Sequence, residues 1–190
     1  MTTVAAKPLP DSLPEMSNPF QRASRDYLVD EYLPKIRVAL APLHEDDLWW
    51  RPAVGSNSIG NLILHIEGNA RQWILGGVAE LPNERDRDAE FNATAGQSKA
   101  ELLARLTRSF REIGAAIAAV PDELLPEPRE IQGATTTVFH AIYHVVEHVS
   151  MHTGQIIQLA KWRAPGSVRL YDASSTSFTP LWSPDSPGFG

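Results

Sequence analysis

Three histidines follow one another at four-residue intervals in the segment HVVEHVSMHTGQI, residues 144–156. They are His144, His148 and His152, and His140 extends the series by one more interval. On a helix, side chains four residues apart lie on the same side, and a histidine pair at this spacing can bind one metal ion. With a third nitrogen ligand, such a pair would hold a divalent ion that keeps a coordination position open, as catalytic zinc sites do.

The helix that carries these histidines turns them progressively toward its apolar face. On a helical wheel, that face is defined by Val138, Ile142, Val145, Val149 and Ile156. His152 lies about 40° from this direction and His148 about 80°. His144 lies about 120° away, and His140 points nearly outward. We therefore predict that His148 and His152 form the inward pair. We expect His140 and His144 to be solvated or at most to contact a ligand residue, with His144 as the alternative to one member of the pair.

His65 is the candidate third ligand, because it lies in a second amphipathic segment whose polar stripe is rich in amides. That stripe consists of Ser58, Asn61, His65, Asn69 and Gln72. A plain solvated face would more often carry Lys and Glu, so these side chains indicate a half-buried position that requires hydrogen bonds. The residues that could orient the histidines or a substrate are Asn61, Asn69, Gln72 and Gln155. Glu67 and Glu147 point away from the inferred site, and His44 in a linker has no assigned role.

Spacing alone leaves the metal site undecided. An i,i+4 histidine pair also occurs by chance on surfaces, and a single histidine such as His65 is more often a hydrogen-bonded, half-buried residue. Histidine ligands suit zinc, nickel, copper and iron alike. We expect a divalent ion, zinc first, with nickel or iron as alternatives.

Four amphipathic stretches predict the helices that would position these side chains, at about residues 18–40, 56–77, 98–120 and 136–162. Ser56 or Asn57 is expected to cap the second helix, the Thr135–Thr137 run to cap the fourth, and Pro34 to kink or break the first. The segments NERDRDAEF and PDELLPEPREIQGATTT are expected to be loops, the first of them solvated. Trp49 and Trp50 are expected to cover the core. The fold class is therefore all-α, a four-helix bundle at residues 18–163, with an N-terminal extension at 1–17. A Pro/Ser/Gly-rich C-terminal tail at 164–190 is expected to form an extended arm over the bundle or a neighbour.

The composition narrows the function. A chain of 190 residues with 43% hydrophobic residues fits one globular domain. Its formal net charge of -6 argues against a nucleic-acid partner. The chain has no cysteine, so disulfides, thiolate ligands and cysteine nucleophiles are excluded. No signal peptide or membrane span is recognisable, and the expected location is the cytoplasm.

Three separated segments, which occur in the expected order along the chain, resemble the DinB-like (DinB/YfiT) superfamily over roughly residues 18–163. HVVEHVSMHTGQI resembles its last-helix signature, and LWWRPAVGSNSIGNLILHIEGNARQWILGGV resembles its linker and second helix, with RDRDAEF following. The resemblance implies a four-helix bundle of up-down-down-up order, often a homodimer, with a metal ion on three histidines. Carried to this sequence, those are His65, His148 and His152. Some members resemble S-transferases that use a low-molecular-weight thiol, others resemble a mycothiol-dependent isomerase, and many have no known activity.

These observations leave several functions open. A metal-dependent enzyme of the thiol S-transferase or hydrolase type fits the inferred site, and the thiol would have to arrive as a co-substrate because the chain has none. No separate general base or other catalytic residue is identified. The alternatives are a non-catalytic metal-binding or stress-related homodimeric bundle, and a histidine-lined binding or dimer module without a physiological metal. A haem site fits less well, because the i,i+4 pair suits a single small ion.

Overall fold

The structure, a computed structural model, describes residues 18–172 and 179–183. The predicted N-terminal extension, residues 1–17, lies outside the described residues. The described part is mostly helical, and the helices enclose an apolar core.

The first helical stretch changes its winding instead of breaking. Helix α1 (Pro19–Asp26) is capped by Asn18, whose side chain accepts hydrogen bonds from the amides of Phe20 and Gln21. A π-helical turn, Tyr27–Tyr32, joins it to α2 (Leu33–Leu40). Pro34 therefore falls in the first turn of α2, where a missing N–H is tolerated. The predicted break at this proline is wrong, because helical winding continues through it and widens just before it, while the predicted kink stays a prediction.

The second stretch carries His65. Helix α3 (Ile59–Ala70) begins after Ser58, and a second π-helical turn continues it from Arg71 to Val78. The predicted caps Ser56 and Asn57 are wrong, because Ser58 accepts the amide of Asn61 and the Asn61 side chain accepts the amide of Ser58. This reciprocal arrangement satisfies two backbone donors at the helix start.

Three further helices complete the set. Helix α4 (Arg87–Asn92) is capped by Asp86, α5 (Lys99–Ala118) by Ser98, and α6 (Val138–Arg163) by Thr137. The third and fourth predicted helices correspond to α5 and α6. The expectation of a loop at NERDRDAEF is wrong, because this segment contains α4.

A β-hairpin precedes α6, where a loop was expected. Strand β1 (Pro128–Ile131) pairs antiparallel with β2 (Ala134–Thr137). The two connecting residues, Gln132 and Gly133, have φ angles of 55° and 76°. Positive φ at both central positions is the geometry of a two-residue hairpin turn, which matches the twist of the strands. The purely α-helical prediction therefore needs correction, since short strands are present.

The described part of the C-terminal tail lies against the first helical stretch. Short strands β3 (Tyr171–Asp172) and β4 (Thr179–Pro180) pair antiparallel. Trp182 is 5% exposed, and its Nε1 donates a hydrogen bond to Glu31 Oε2 over 2.9 Å. The Lys35 ammonium lies 4.2 Å from the centroid of the Trp182 ring. The described part of the tail thus adds an aromatic anchor to the helical body, and residues 173–178 and 184–190 of the predicted arm lie outside the described residues.

The core joins the helices that bring the candidate site together. Helix α3 packs against α4, α5 and α6, and α6 also packs against α2. The largest fully buried side chains include Phe110, Leu28, Ile36, Leu62, Ile66, Leu102 and Leu106. Trp49 and Trp50, partly buried, pack on this core, which confirms their predicted position. Among the described residues, no helix combines the length and apolar character needed to cross a bilayer.

Candidate metal centre

The seam between α3 and α6 brings the three predicted histidines together. One ring nitrogen from each of His65, His148 and His152 lies within 4.8 Å of the others. The Nε2 atoms of His65 and His148 are 3.1 Å apart, and the ring centroids of His148 and His152 are 4.5 Å apart. His65 is 7% exposed and His152 is 9% exposed. Nitrogens from two distant stretches of chain therefore converge in a largely buried space.

A carboxylate determines which nitrogen of His65 faces the other histidines. Glu90 Oε2 lies 3.1 Å from His65 Nδ1, and Arg85 holds both Glu90 oxygens, with Nε 2.7 Å from Oε1 and Nη2 2.8 Å from Oε2. Arg85 Nη2 also lies 3.2 Å from His65 Nδ1, but its shorter contact is to the carboxylate. His65 Nδ1–H therefore donates to Glu90, and the Nε2 lone pair points toward His148.

Glu90 is ionised at neutral pH although it is buried. Burial alone would raise the pKa of Glu90, but the hydrogen bonds and charges of Arg85 and His65 hold that pKa below its ordinary value. The carboxylate is therefore a strong acceptor for the Nδ1–H of His65.

Gln155 orients the second histidine in the same way. Its Oε1 lies 2.7 Å from His152 Nδ1, and the amide oxygen can only accept. His152 thus carries its proton on Nδ1 and has a free lone pair on Nε2. Burial lowers the pKa of His152, and the hydrogen bond that its Nδ1–H donates to Gln155 opposes only part of this effect. The ring is neutral at neutral pH, as metal ligation requires.

His148 is the least favourably placed of the three when no ion is considered. Burial, together with the charges of His152, His65, His144 and Arg85, lowers the pKa of His148 to about 3. Its Nδ1 is buried without a hydrogen-bond partner, while its Nε2 faces the Nε2 of His65. Two nitrogens bound to one tetrahedral zinc ion are roughly 3.3 Å apart, given bond lengths of about 2.0–2.1 Å. The observed 3.1 Å separation and the lowered pKa values of His148 and His152 therefore fit a divalent ion.

The four predicted supporting amides have different positions. Gln155 contacts a histidine directly, whereas Gln72 accepts from Arg85 Nη1 at 2.9 Å and also bonds to Gln132. Asn61 does not contact the histidines: its Nδ2 donates to backbone carbonyls at the end of α4. Asn69 is 5% exposed, and its Oδ1 is buried without a partner. Two of the four thus act on the site through Arg85 or α4.

The remaining histidines lie outside the converging set. His140 is exposed and His44 lies exposed in the linker, as expected. Of the two expectations for His144, contact with a ligand residue fits the structure and a solvated position does not, because its ring lies 4.1 Å from the Trp73 ring and its Nε2 is buried without a partner. Burial lowers the pKa of His144. His144 contacts the ligand candidate His148, at a ring-centroid distance of 5.4 Å.

Glu67 and Glu147 point away from the site, as predicted. Glu67 is 4% exposed and binds Arg105 Nη2 and the Ser109 hydroxyl at 2.8 and 2.6 Å. Glu147 is on the exposed side of α6.

Sequence reasoning missed Arg85 and Glu90. Both lie in the NERDRDAEF segment, which was expected to be solvated, yet the side chain of Arg85 is 5% exposed and that of Glu90 is 9% exposed. Asp86 is a good N-cap and offered a signal for a short helix here. That Glu90 faces His65 depends on how α4 folds onto α3, which residue spacing does not show.

Comparisons with known proteins identify the family and the fold. A family model described as "Protein of unknown function (DUF1572)" matches residues 15–168. The chain is also similar to the crystal structure of a DinB-like protein from Bacillus cereus ATCC 10987, with 16% sequence identity and a TM-score of 0.55. That similarity covers 75% of this chain and 89% of the other, and it shows a shared fold. None of the curated proteins matches. The chain therefore belongs to the DUF1572 family of proteins of unknown function, which is a DinB-like family.

Proposed function

We propose that this protein binds one divalent metal ion through His65, His148 and His152 and acts as a metal-dependent enzyme of the thiol S-transferase or hydrolase type. Zinc is the first expectation for the ion, with nickel or iron as alternatives. The observation that carries the proposal is the convergence of three ring nitrogens within 4.8 Å in a largely buried space.

The electrostatics of the site support the metal. Two of the rings have their Nδ1 atoms engaged by Glu90 and Gln155, which leaves both Nε2 lone pairs free. The third ring, His148, has a pKa of about 3 and a buried Nδ1 without a partner, and its Nε2 contacts only the Nε2 of His65, at 3.1 Å. A divalent cation between the rings would accept a lone pair from one nitrogen of each histidine.

The chemistry follows from three neutral ligands. A divalent ion held by them supplies Lewis acidity and lowers the pKa of a thiol or water that reaches its open position. The chain contributes no thiol, since it has no cysteine, and a low-molecular-weight thiol is the co-substrate of the transferase form of the proposal. Phe91, whose ring lies 4.7 Å from that of His65, places an apolar surface beside the site.

The test begins with metal binding by protein purified without a histidine tag. Addition of Zn²⁺ should raise the melting temperature, since a ligand at 100 times its Kd stabilises the folded state by about 2.7 kcal/mol. His152→Gln should remove this increase, and the matched control His140→Gln, at an exposed position of the same helix, should retain it. An equal increase in both variants would refute the assigned ligands.

The catalytic part of the proposal has a separate test. The Zn²⁺-loaded protein should consume a small thiol together with an electrophile, or hydrolyse members of an ester and amide panel, and His65→Gln should abolish this turnover. Turnover unchanged in His65→Gln would refute the enzyme.

A non-catalytic metal protein is the second candidate. The opposed Nε2 atoms of His65 and His148, 3.1 Å apart, favour it, because an ion there would join α3 to α6 and stabilise the fold. A large fall in melting temperature on chelation, without turnover in either panel, would support this candidate over the enzyme.

We also propose a helix order and a dimeric state for this protein. The four long helical stretches would form an up-down-down-up bundle, as the DinB-like relationship suggests, and two chains would form a homodimer. Analytical ultracentrifugation should give a mass near twice the 20.9 kDa of one chain. A mass of one chain at micromolar concentration would contradict the dimer.

A further inference from the structure

Glu90 reaches His65 only because a short helix is tied to α3. Helix α4 has six residues, too few to be stable in isolation. Asn61, which is fully buried, donates from Nδ2 to the carbonyl oxygens of Glu90, Phe91 and Ala93 over 2.8, 3.3 and 2.8 Å. This amide, together with Arg51 Nη2, which also donates to the Phe91 and Ala93 carbonyls, thus holds the end of the helix that carries Glu90.

The space for the Glu90 carboxylate comes from a missing side chain. Gly68 lies in the interior of α3, where glycine is unfavourable because it adds conformational freedom to the unfolded chain. A Cβ added at Gly68 would collide with Glu90 Oε1 and lie about 3.0 Å from its carboxyl carbon. The absence of a side chain at Gly68 therefore leaves the space that the Glu90 carboxylate occupies.

Arg85 fixes the orientation of the Glu90 carboxylate in this space. It binds Glu90 through two parallel hydrogen bonds of 2.7 and 2.8 Å, which fixes the plane of the carboxylate. Gln72 accepts from Arg85 Nη1 at 2.9 Å and restrains the guanidinium in turn. The oxygen that faces His65 is therefore held in position from behind.

We propose that Glu90 is a positioning residue, which holds His65 with its proton on Nδ1 and its Nε2 lone pair directed at the metal. Gly68 leaves the space for the Glu90 carboxylate, and Arg85 fixes its orientation. The inference rests on the proposed metal site and adds a residue that acts on the ion only through His65. A carboxylate behind a histidine ligand fixes ring orientation and increases ligand basicity, and its loss weakens metal affinity about 10–100-fold in known sites.

The first experiment compares Zn²⁺ dissociation constants, measured by chelator competition on the full chain. Glu90→Met, which offers no acceptor, should weaken binding about 10–100-fold. Glu90→Gln keeps an acceptor oxygen and should fall between that variant and the wild type. Gly68→Ala retains every charged group but displaces the carboxylate, so it should also weaken binding.

Two controls separate this effect from general damage. Glu67→Met removes another buried carboxylate on α3, one that binds Arg105 and Ser109 instead of a histidine. Gly154→Ala adds a methyl group to α6, where nothing lies within 4 Å of the new Cβ. Both variants should bind Zn²⁺ as the wild type does.

The second readout needs no metal. Nitrogen-15 NMR of the imidazoles should show His65 as the Nδ1–H tautomer in the wild type, in Glu90→Gln and in Glu67→Met. This tautomer should be lost in Glu90→Met and in Gly68→Ala. If Glu90→Met does not fold, Gly68→Ala alone provides the comparison. A wild-type tautomer of His65 in both altered variants would overturn the inference. A wild type that binds no Zn²⁺ would instead overturn the proposed function, while the tautomer comparison would still decide the role of Glu90.

Discussion

Acidification of the metal-free protein should reduce its stability, and His148 should account for much of the loss. The folded state keeps this ring neutral, with a pKa of about 3, whereas the unfolded state takes up a proton near the ordinary value of 6.5. Between these values the unfolded state binds more protons, so the free energy of unfolding falls as the pH falls below about 6.5. The contribution is fully present above that pH.

The size of the stability loss follows from the pH range over which only the unfolded state binds a proton. A single group that is protonated only in the unfolded state would cost about 2 kcal/mol between pH 7 and pH 5. His148 is only partly buried, so solvent screening reduces this to about 1 kcal/mol. His152 and His144, whose pKa values are also lowered, act in the same direction.

Urea unfolding of the metal-free protein at pH 7, 6 and 5 measures the effect. His148→Gln should have a shallower dependence on pH than the wild type, whereas His140→Gln, which changes an exposed ring, should keep the wild-type dependence. Equal slopes in the wild type and His148→Gln would refute the assignment of a depressed pKa to this ring. Zn²⁺ should stabilise less at pH 5 than at pH 7, because protons compete for the same nitrogens.

Three further predictions concern the scaffold. Asn61→Ala should lower the free energy of unfolding by about 1–3 kcal/mol, because the Glu90 carbonyl loses its side-chain donor and the Phe91 and Ala93 carbonyls keep only the donor from Arg51 Nη2. Hydrogen exchange in α4 should accelerate, and unchanged exchange would contradict the proposed role of Asn61. Burial would raise the pKa of Asp47, but the His44 amide and Arg163 lower it, so its contribution to stability is present at neutral pH and is lost as the pH falls through the folded pKa. Asp47→Asn should remove that acid sensitivity between pH 5 and 3, and an unaltered profile in urea unfolding would contradict it. Gly77→Ala should destabilise by about 1–3 kcal/mol, because its Cβ would collide with Ile131 of the hairpin, and an unchanged urea midpoint would exclude this close contact.

The part of the site that the sequence predicted is the part that helical periodicity determines. His148 and His152 lie on one helix, and their inward direction follows from the apolar residues around them. His65 stood out because amides surrounded it on an apolar helix. The convergence of the three rings in the structure agrees with that prediction.

What was missed depends on tertiary contact or on a change of helical winding. Glu90 lies in a charged segment, and hydrogen bonds with Asn61, His65 and Gln72 hold that segment against α3 and its π-helical continuation. His144 is half-buried because Trp73 covers it, and Trp73 lies in the π-helical turn Arg71–Val78, where a wheel of about 100° per residue no longer places side chains correctly. The hairpin had a local signal, since Gln132-Gly133 stands before a threonine run, but its strands are only four residues long.

The central claim is tested most directly by crystals grown with Zn²⁺ and measured on both sides of the zinc absorption edge. We predict a single strong anomalous peak in the α3–α6 seam, with one nitrogen each of His65, His148 and His152 about 2.0–2.1 Å away. No peak in that seam at saturating Zn²⁺, or a peak bound by other residues, would contradict the metal centre and the chemistry built on it.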